Sequence, residues 1–368
     1  MPSQTHKLTV TSSTEKIPAS PVKGRAVLVI HGGAGGLKRD RYSPELQEKY
    51  RAVLKMALQA GHDVLSLGGC ALDAVEAAIN VLEDSPLFNA GKGAVLTREG
   101  KVELEASVMV SHPLAAGVED GHLQRRTTAV TMISKVKNPI TLAKRLYLAT
   151  DDTQHVLHAA PYVEKLAEKL GCEMVEEPYF HTPARDRQFA SADTADYAGV
   201  GESEDAKGTV GAVALDVNGY MAVGTSTGGK GGKLSGRIGD TPIAGAGYWC
   251  EQFNVKRKSV WRSIVPFMKS SKRVGMGISG TGDGDYFLRY LVCHDIFERM
   301  KLKGQTLDRA TTDVLAALGQ AGGEGGVIGL TADGEVVMGM NCAGMFRGWI
   351  DLSQGKPRVG IFNDDRVR

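Results

Sequence analysis

The residue whose setting most suggests chemistry is Thr209. The stretch TPARDRQFASADTADYAGVGESEDAKG, residues 182–208, is polar and rich in small residues, and it gives way abruptly to the apolar run TVGAVALDV. A cut before Thr209 creates a terminus that carries a hydroxyl and an α-amine on one residue. A free α-amine has a pKa of about 7.7–8.0, so near neutral pH a useful fraction is unprotonated. It can take the proton from its own Oγ as that oxygen attacks a carbonyl. Threonine suits this role because its β-branch restricts χ1. Gly208, on the other side of the bond, permits a backbone conformation closed to other residues. These few residues taken alone better describe a buried strand that happens to begin with threonine, a residue that favours strands in any case.

Four glycine clusters lie beside apolar segments: HGGAGG at 31–36, TGGKGGK at 227–233, SGTGDGD at 279–285 and GGEGG at 322–326. Several loops converging on one site is the reading they suggest. None has the spacing of a nucleotide-binding P-loop, since Lys230 is followed by Gly231 and Lys233 by Leu234. The five cysteines form no C-x-x-C pair, which argues against a disulfide framework and against zinc.

The 44 basic and 42 acidic residues nearly cancel, to a net charge of +2, and no long basic run occurs. Neither nucleic acid nor a membrane surface is therefore an expected partner. No stretch approaches 18 apolar residues. The first twenty residues lack the apolar segment of a secretory signal, so the expected compartment is the reducing cytoplasm.

The elements that must position this chemistry follow from periodicity. Residues 1–24 read as a flexible arm. RAVLVI, 25–30, reads as a buried strand ending in a tight turn at HGGAGG. A helix capped by Ser43, with Pro44 in its first turn, should run to Gly61. Another should cover 70–84. A hairpin turning at Glu99-Gly100 should follow, then helices near 139–149 and 153–170. A linker is expected over about 183–208. Strands at 210–217 and 220–226 should pair through Asn218-Gly219, a strong hairpin signal. Helices over 284–301 and 306–319 and strands near 326–331, 335–341 and 357–362 complete the chain. Blocks of strands alternate with blocks of helices, which favours stacked sheets between helical layers over a doubly wound parallel sheet.

Seven motifs in order carry a resemblance. HGGAG (31–35), PLFNAGKGAV (86–95), GTVGAVALD (208–216), GTSTGG (224–229), GRIGDTPIAGAG (236–247), TGDGD (281–285) and NCAGMFRG (341–348) make residues 25–362 similar to the plant-type L-asparaginases, also called isoaspartyl aminopeptidases or β-aspartyl peptidases. The resemblance implies an α/β fold, the four-layer αββα sandwich of the N-terminal-nucleophile hydrolases. It implies autoproteolysis between Gly208 and Thr209, giving an α portion (25–208) and a β portion (209–368) of the same domain. Thr209 matches the nucleophile and Thr227 a threonine that supports it. Thr281 and Gly282 match the oxyanion hole, and Asn89 an asparagine beside it. Arg237 and Asp240 match the pair that grips the substrate's α-carboxylate and α-ammonium, with Gly284 as a backbone contact to the ammonium.

The expected reaction is hydrolysis of the side-chain amide of L-asparagine, and of β-aspartyl dipeptides, with no catalytic cofactor. The resemblance also implies a structural sodium ion on the main-chain carbonyls of Leu82, Glu83, Ser85, Phe88, Ala90 and Lys92, and a homodimer of αβ units. Two features depart from the family pattern. Relatives usually read D-A-S/C-I/V-M-D-G where this chain has Glu105-Ala106-Ser107-Val108-Met109-Val110-Ser111, and they usually have glutamate at Asp285. The nearest rival, glycosylasparaginase, works in an acidic, oxidising compartment, which the unpaired cysteines and leaderless start do not suit.

Overall fold

Val27 and Val29 pack in one apolar cluster while Leu28 and Ile30 pack in another. That alternation, the signature of a strand buried on both faces, sets the architecture. The computed structural model describes residues 24–118, 126–192, 208–256 and 271–367. Most of the expected N-terminal arm, and residues 193–207 of the expected linker, lie outside the described residues.

In chain order the first elements are β1 (Val27–Gly35), α1 (Pro44–Ser66), α2 (Ala71–Glu83), β2 (Leu104–Val110), β3 (Thr127–Ile133), α3 (Pro139–Leu148), β4 (Leu157–Ala159), α4 (Tyr162–Lys169) and α5 (Pro183–Ala192). Then come β5 (Val210–Leu215), β6 (Met221–Thr227), β7 (Tyr248–Lys256), β8 (Ser271–Gly282), α6 (Gly284–Tyr290), α7 (Val292–Lys303) and α8 (Leu307–Gln320). The chain closes with β9 (Gly325–Thr331), β10 (Val336–Met340), β11 (Gly344–Asp351) and β12 (Arg358–Phe362).

Eight strands form one sheet in the order β12-β11-β1-β5-β6-β2-β3-β4, and four form a second, β10-β9-β8-β7. Helices α1, α2 and α3 pack on the first sheet through Leu28, Ile30, Ala106, Val108, Val210, Ala212 and Ala214. Helices α7 and α8 pack on the second through Met276, Ile278 and Val327. The remaining faces meet each other: Val27, Val29, Met109, Val213, Leu215 and Val223 of the first sheet pack with Tyr248, Cys250, Ile328 and Leu330 of the second. Helices and sheets are thus mixed in an α/β architecture. Among the described residues no helix is long and apolar enough to cross a membrane.

The β5–β6 hairpin forms as its turn residues require, with Gly219 at φ +78° and its N–H on the Asp216 carbonyl at 2.9 Å. The Ser43 hydroxyl caps α1, accepting from the Leu46 N–H at 3.3 Å.

Other expectations are corrected. HGGAG does not turn; it continues β1, with an irregularity in the register between His31 and Ala34. Helix α1 runs through Gly61, which lies so close to Leu28 and the Ala74 carbonyl that a Cβ there would have no room. The turn at Glu99-Gly100 makes no hairpin, because β2 pairs with β3 and β6 instead. The helix read over 153–170 is only Tyr162–Lys169, since Pro161 cannot sit inside a helix. The helix over 284–301 breaks at Leu291, whose φ is +46°. The first ten residues of the expected linker form α5, held by the buried Arg185, whose Nε donates to the Gly93 carbonyl at 2.7 Å.

Candidate active site

Strand parity decides which side chains meet. On β5, Val210, Ala212 and Ala214 face the helices, while Val213 and Leu215 face the second sheet. Thr209 continues the second phase. On β8, Met276 and Ile278 face α7 and α8, so Ser279 and Thr281 face the first sheet. On β2, Ala106, Val108 and Val110 face the helices, which leaves Glu105 and Ser107 on the opposite side. A Cβ at Gly224 of β6 would strike Val75, Ile140 and Ile79 of the helical side, so Thr225 and Thr227 face inward too. Period-two alternation therefore gathers Thr209, Thr225, Thr227, Thr281, Glu105 and Ser107 between the sheets, and all six are buried.

The bond between Gly208 and Thr209 is intact in this structure. Gly208 has φ +136°, and a Cβ on it would lie 2.5 Å from the Gly33 Cα, so glycine is required on both conformational and steric grounds. The Gly208 carbonyl accepts from Asn89 Nδ2 at 3.0 Å and from Thr227 Oγ1 at 3.3 Å. Asn89 is itself fixed: its Nδ2 also donates to the Gly229 carbonyl at 2.7 Å, and its Oδ1 accepts from the Val95 N–H at 3.0 Å. The Thr209 N–H donates to Thr281 Oγ1 at 2.9 Å. Gly282 follows at the end of β8, opposite Gly325.

Thr227 thus sits on the carbonyl that precedes Thr209. The hydroxyl paired with Thr209 Oγ1 is that of Thr241, at 3.3 Å. Sequence reasoning passed over Thr241, although it directly follows Asp240 in GDTP. It also passed over His31 and Ser279, whose Nε2 and Oγ are 2.7 Å apart beside Gly211. Burial pushes the His31 pKa down to about 3, against a hydrogen bond with the Thr209 backbone that raises it. His31 is therefore neutral at physiological pH.

The expected head-group anchors come together. A Cβ on Gly284 would lie 2.5 Å from Asp240 Oδ1 and 3.2 Å from Arg237 Nη2, so these three residues line one small space. Asp240 is buried, its Oδ2 has no hydrogen-bond partner among the described residues, and burial pushes its pKa up to about 7. Arg237 Nη2 bonds Asp285 Oδ1 at 2.9 Å. Glu105 lies beneath this corner, its Oε1 accepting from the Gly239 N–H at 2.9 Å. Burial raises its pKa, opposed by the nearby charges of Lys233 and Arg237. The glutamate that departs from the family pattern therefore lies on the side of Arg237 and Asp240. Val110, at the far end of β2, faces the helices.

The loop from Leu82 to Lys92 is tightly wound. A Cβ at Gly91 would lie 2.5 Å from the Glu83 carbonyl oxygen, and one at Gly93 2.2 Å from that of Phe88. The side chains of Leu82, Glu83, Ser85, Phe88 and Ala90 are all buried. Among the described residues no group of three or more His, Cys, Asp or Glu side chains is placed to hold a metal ion.

This site lies within a sequence that matches the asparaginase family over residues 24–255 and 272–360. An isoaspartyl peptidase of Salmonella typhimurium is 36% identical over 347 residues, covering 92% of this chain and 99% of that protein. An isoaspartyl peptidase of Escherichia coli is 35% identical over 348 residues, 93% of this chain and 97% of that protein. A probable isoaspartyl peptidase/L-asparaginase of Arabidopsis thaliana is 35% identical over 350 residues, 88% and 95% respectively.

Proposed function

The chain belongs to the asparaginase family, and from that premise we propose that it is an autoprocessing threonine hydrolase that cleaves the side-chain amide of L-asparagine and the isopeptide bond of β-aspartyl dipeptides. The observation that carries the reading is the Gly208–Thr209 junction. Its carbonyl accepts from two side-chain donors, Asn89 and Thr227, and Thr209 is buried beside the second sheet with its N–H on Thr281 Oγ1. The stacked sheets and flanking helices are read accordingly as the four-layer αββα sandwich.

Self-cleavage begins when Thr209 Oγ attacks the Gly208 carbonyl carbon. Asn89 Nδ2 and Thr227 Oγ1 donate to the oxygen as it gains charge. The C–N bond breaks as the nitrogen takes up the proton that the Thr209 hydroxyl gives up, and an ester joins Gly208 to Thr209 Oγ. Water hydrolyses that ester, leaving a Gly208 carboxylate and a Thr209 with free amine and hydroxyl.

In turnover the Thr209 amine takes the proton from its own hydroxyl. The oxygen attacks the substrate's side-chain carbonyl, and the Thr281 hydroxyl with the Gly282 N–H meets the oxyanion. Ammonia, or an amino acid from a β-aspartyl dipeptide, leaves with that proton. Water then hydrolyses the aspartyl ester. Arg237 grips the α-carboxylate through paired charge-assisted bonds, exchanging its Asp285 contact for the substrate. Asp240 and the Gly284 backbone receive the α-ammonium.

The neutral carbonyls of Leu82, Glu83, Ser85, Phe88, Ala90 and Lys92 suit a hard monovalent cation, and the close approach of the Glu83 and Phe88 carbonyls to glycines fits such a cradle. We assign this loop to a structural sodium ion. The base is the Thr209 amine, so no step requires the ion. We further assign a homodimer of processed αβ units in a reducing compartment such as the cytoplasm, a location supported by five free thiols.

The deciding experiment pairs intact mass with kcat/KM for L-Asn, β-Asp-Leu, α-Asp-Leu, D-Asn and L-Gln. Two fragments, with Thr209 as a new N-terminus and activity confined to the first two substrates, are expected. Equal rates on α-Asp-Leu and β-Asp-Leu overturn the anchoring scheme.

A further inference from the structure

The hydroxyl bonded to the Thr209 hydroxyl belongs to a residue to which neither the resemblance nor the two reactions above give a role, although it lies inside the motif at 236–247. Thr209 Oγ1 and Thr241 Oγ1 are 3.3 Å apart, and both side chains are buried. Thr241 is unusually well held. Its carbonyl accepts from Ser107 Oγ at 2.7 Å and from Thr225 Oγ1 at 3.2 Å. Those two hydroxyls are 2.6 Å from each other, and their residues are paired directly across β2 and β6. Two residues earlier, Glu105 Oε1 receives the Gly239 N–H. The inward residues Glu105 and Ser107 of β2 thus grip the turn at 239 and 241, one on each side of Asp240.

We infer that Thr241 is a positioning residue for the nucleophile, and that the turn it shares with Asp240 fixes the distance from head-group anchor to attacking oxygen. The inference rests on Thr209 being the nucleophile. A β-branched residue has few χ1 choices, and a fixed hydroxyl partner removes more. Thr209 enters the attack geometry in the intact chain with Oγ1 already oriented, and the same contact serves the mature enzyme. Because Asp240 and Thr241 are adjacent, the ammonium site and the hydroxyl move as one body pinned to β2 and β6. A side chain one methylene longer than asparagine then overshoots, and small misplacements are costly.

The test compares Thr241→Val, which removes the hydroxyl at constant shape, with Thr241→Ser, which keeps it. Self-cleavage is followed by intact mass, and kcat and KM for L-Asn are measured on the processed fraction, with thermal unfolding as a control. Thr241→Val should slow self-cleavage and lower kcat by about tenfold or more, with KM within about twofold. Thr241→Ser should recover most of both rates. A Thr241→Val protein as fast as the wild type in both reactions overturns the proposal, as does a Thr241→Ser protein equally impaired, since packing would then be the cause.

Should Thr241→Val fail to fold, the pair Ser107→Ala with Thr225→Val releases the turn and leaves Thr241 in place. It should lower kcat and raise the relative rate on L-Gln, and unchanged kcat and substrate ratio overturn the idea. A wild type that neither cleaves itself nor hydrolyses L-Asn would instead sink the parent reading.

Discussion

Asn89 Nδ2 donates to the Gly208 carbonyl at 3.0 Å, a contact between residues 119 positions apart that exists before any bond is cut. The asparagine expected beside the substrate's oxyanion is here aimed at the carbonyl that the proposed self-cleavage attacks, and under that reading it serves maturation.

Asn89→Ala should therefore process slowly. Losing one preorganised donor to a developing oxyanion costs about 10²–10³ in rate, and Thr227 remains as the second donor. Freshly purified variant should be largely one chain by intact mass and mature over time. Processing at the wild-type rate would remove Asn89 from this step.

Thr209→Ala lacks the attacking oxygen. It should persist as a single chain and show no turnover of L-Asn. A gel with two bands for this variant would point to an external protease acting on the 193–208 stretch.

Arg237→Ala should raise KM and lower kcat/KM for L-Asn by roughly ten- to a hundredfold, the equivalent of one charge-assisted partner. Self-cleavage, which has no amino-acid head group to bind, should proceed normally. A variant defective in processing but normal in KM would reverse this assignment.

Asp240 gives a stability signature with a definite sign. Burial lifts its carboxyl from the reference 3.8 to about 7 in the folded chain. The folded state therefore holds the proton more tightly, and the stability this confers is complete below about pH 4 and lost as pH rises through 7. Asp240→Asn carries no such charge. The melting temperature of the variant should overtake that of the wild type as pH climbs from 5 to 8, while its KM for L-Asn deteriorates. A gap that does not change with pH would mean that Asp240 is ionised throughout.

Treatment with EDTA should leave activity unchanged, since the proposed base is an amine and the proposed ion is bound by neutral carbonyls. Loss of turnover on chelation, restored by zinc, would contradict both.

Much of the fold and most of the site's polar residues were legible in the sequence. Helices α1 and α2 and the β5–β6 hairpin announce themselves through spacing, a capping serine and an Asn-Gly turn. Strands β8 and β11 do not. SKRVGMGISGTG and GMFRGWID are rich in glycine, and their glycines leave room for neighbours instead of supplying apolar alternation. Thr241 was illegible for another reason. A threonine between aspartate and proline reads as a turn residue, and only the pairing of β2 with β6 reveals that its carbonyl is clamped and its hydroxyl faces Thr209. The break at Leu291 likewise has no signal in a segment whose helical spacing continues on both sides.

The order of the larger sheet carries a consequence for the protein's lifetime. β1 lies between β11 and β5, and β2 lies between β6 and β3. If the chain is cut before Thr209 as proposed, β1, β2, β3 and β4 belong to one polypeptide and β5, β6, β11 and β12 to the other. The two pieces are woven through each other and share hydrogen-bonded ladders at three seams. They leave together or not at all, and a nicked molecule that melts has lost the covalent tether that brought those ladders into register. Under the proposed maturation, cleavage would thus trade reversible folding for persistence: a processed molecule would endure through a slow rate of unravelling.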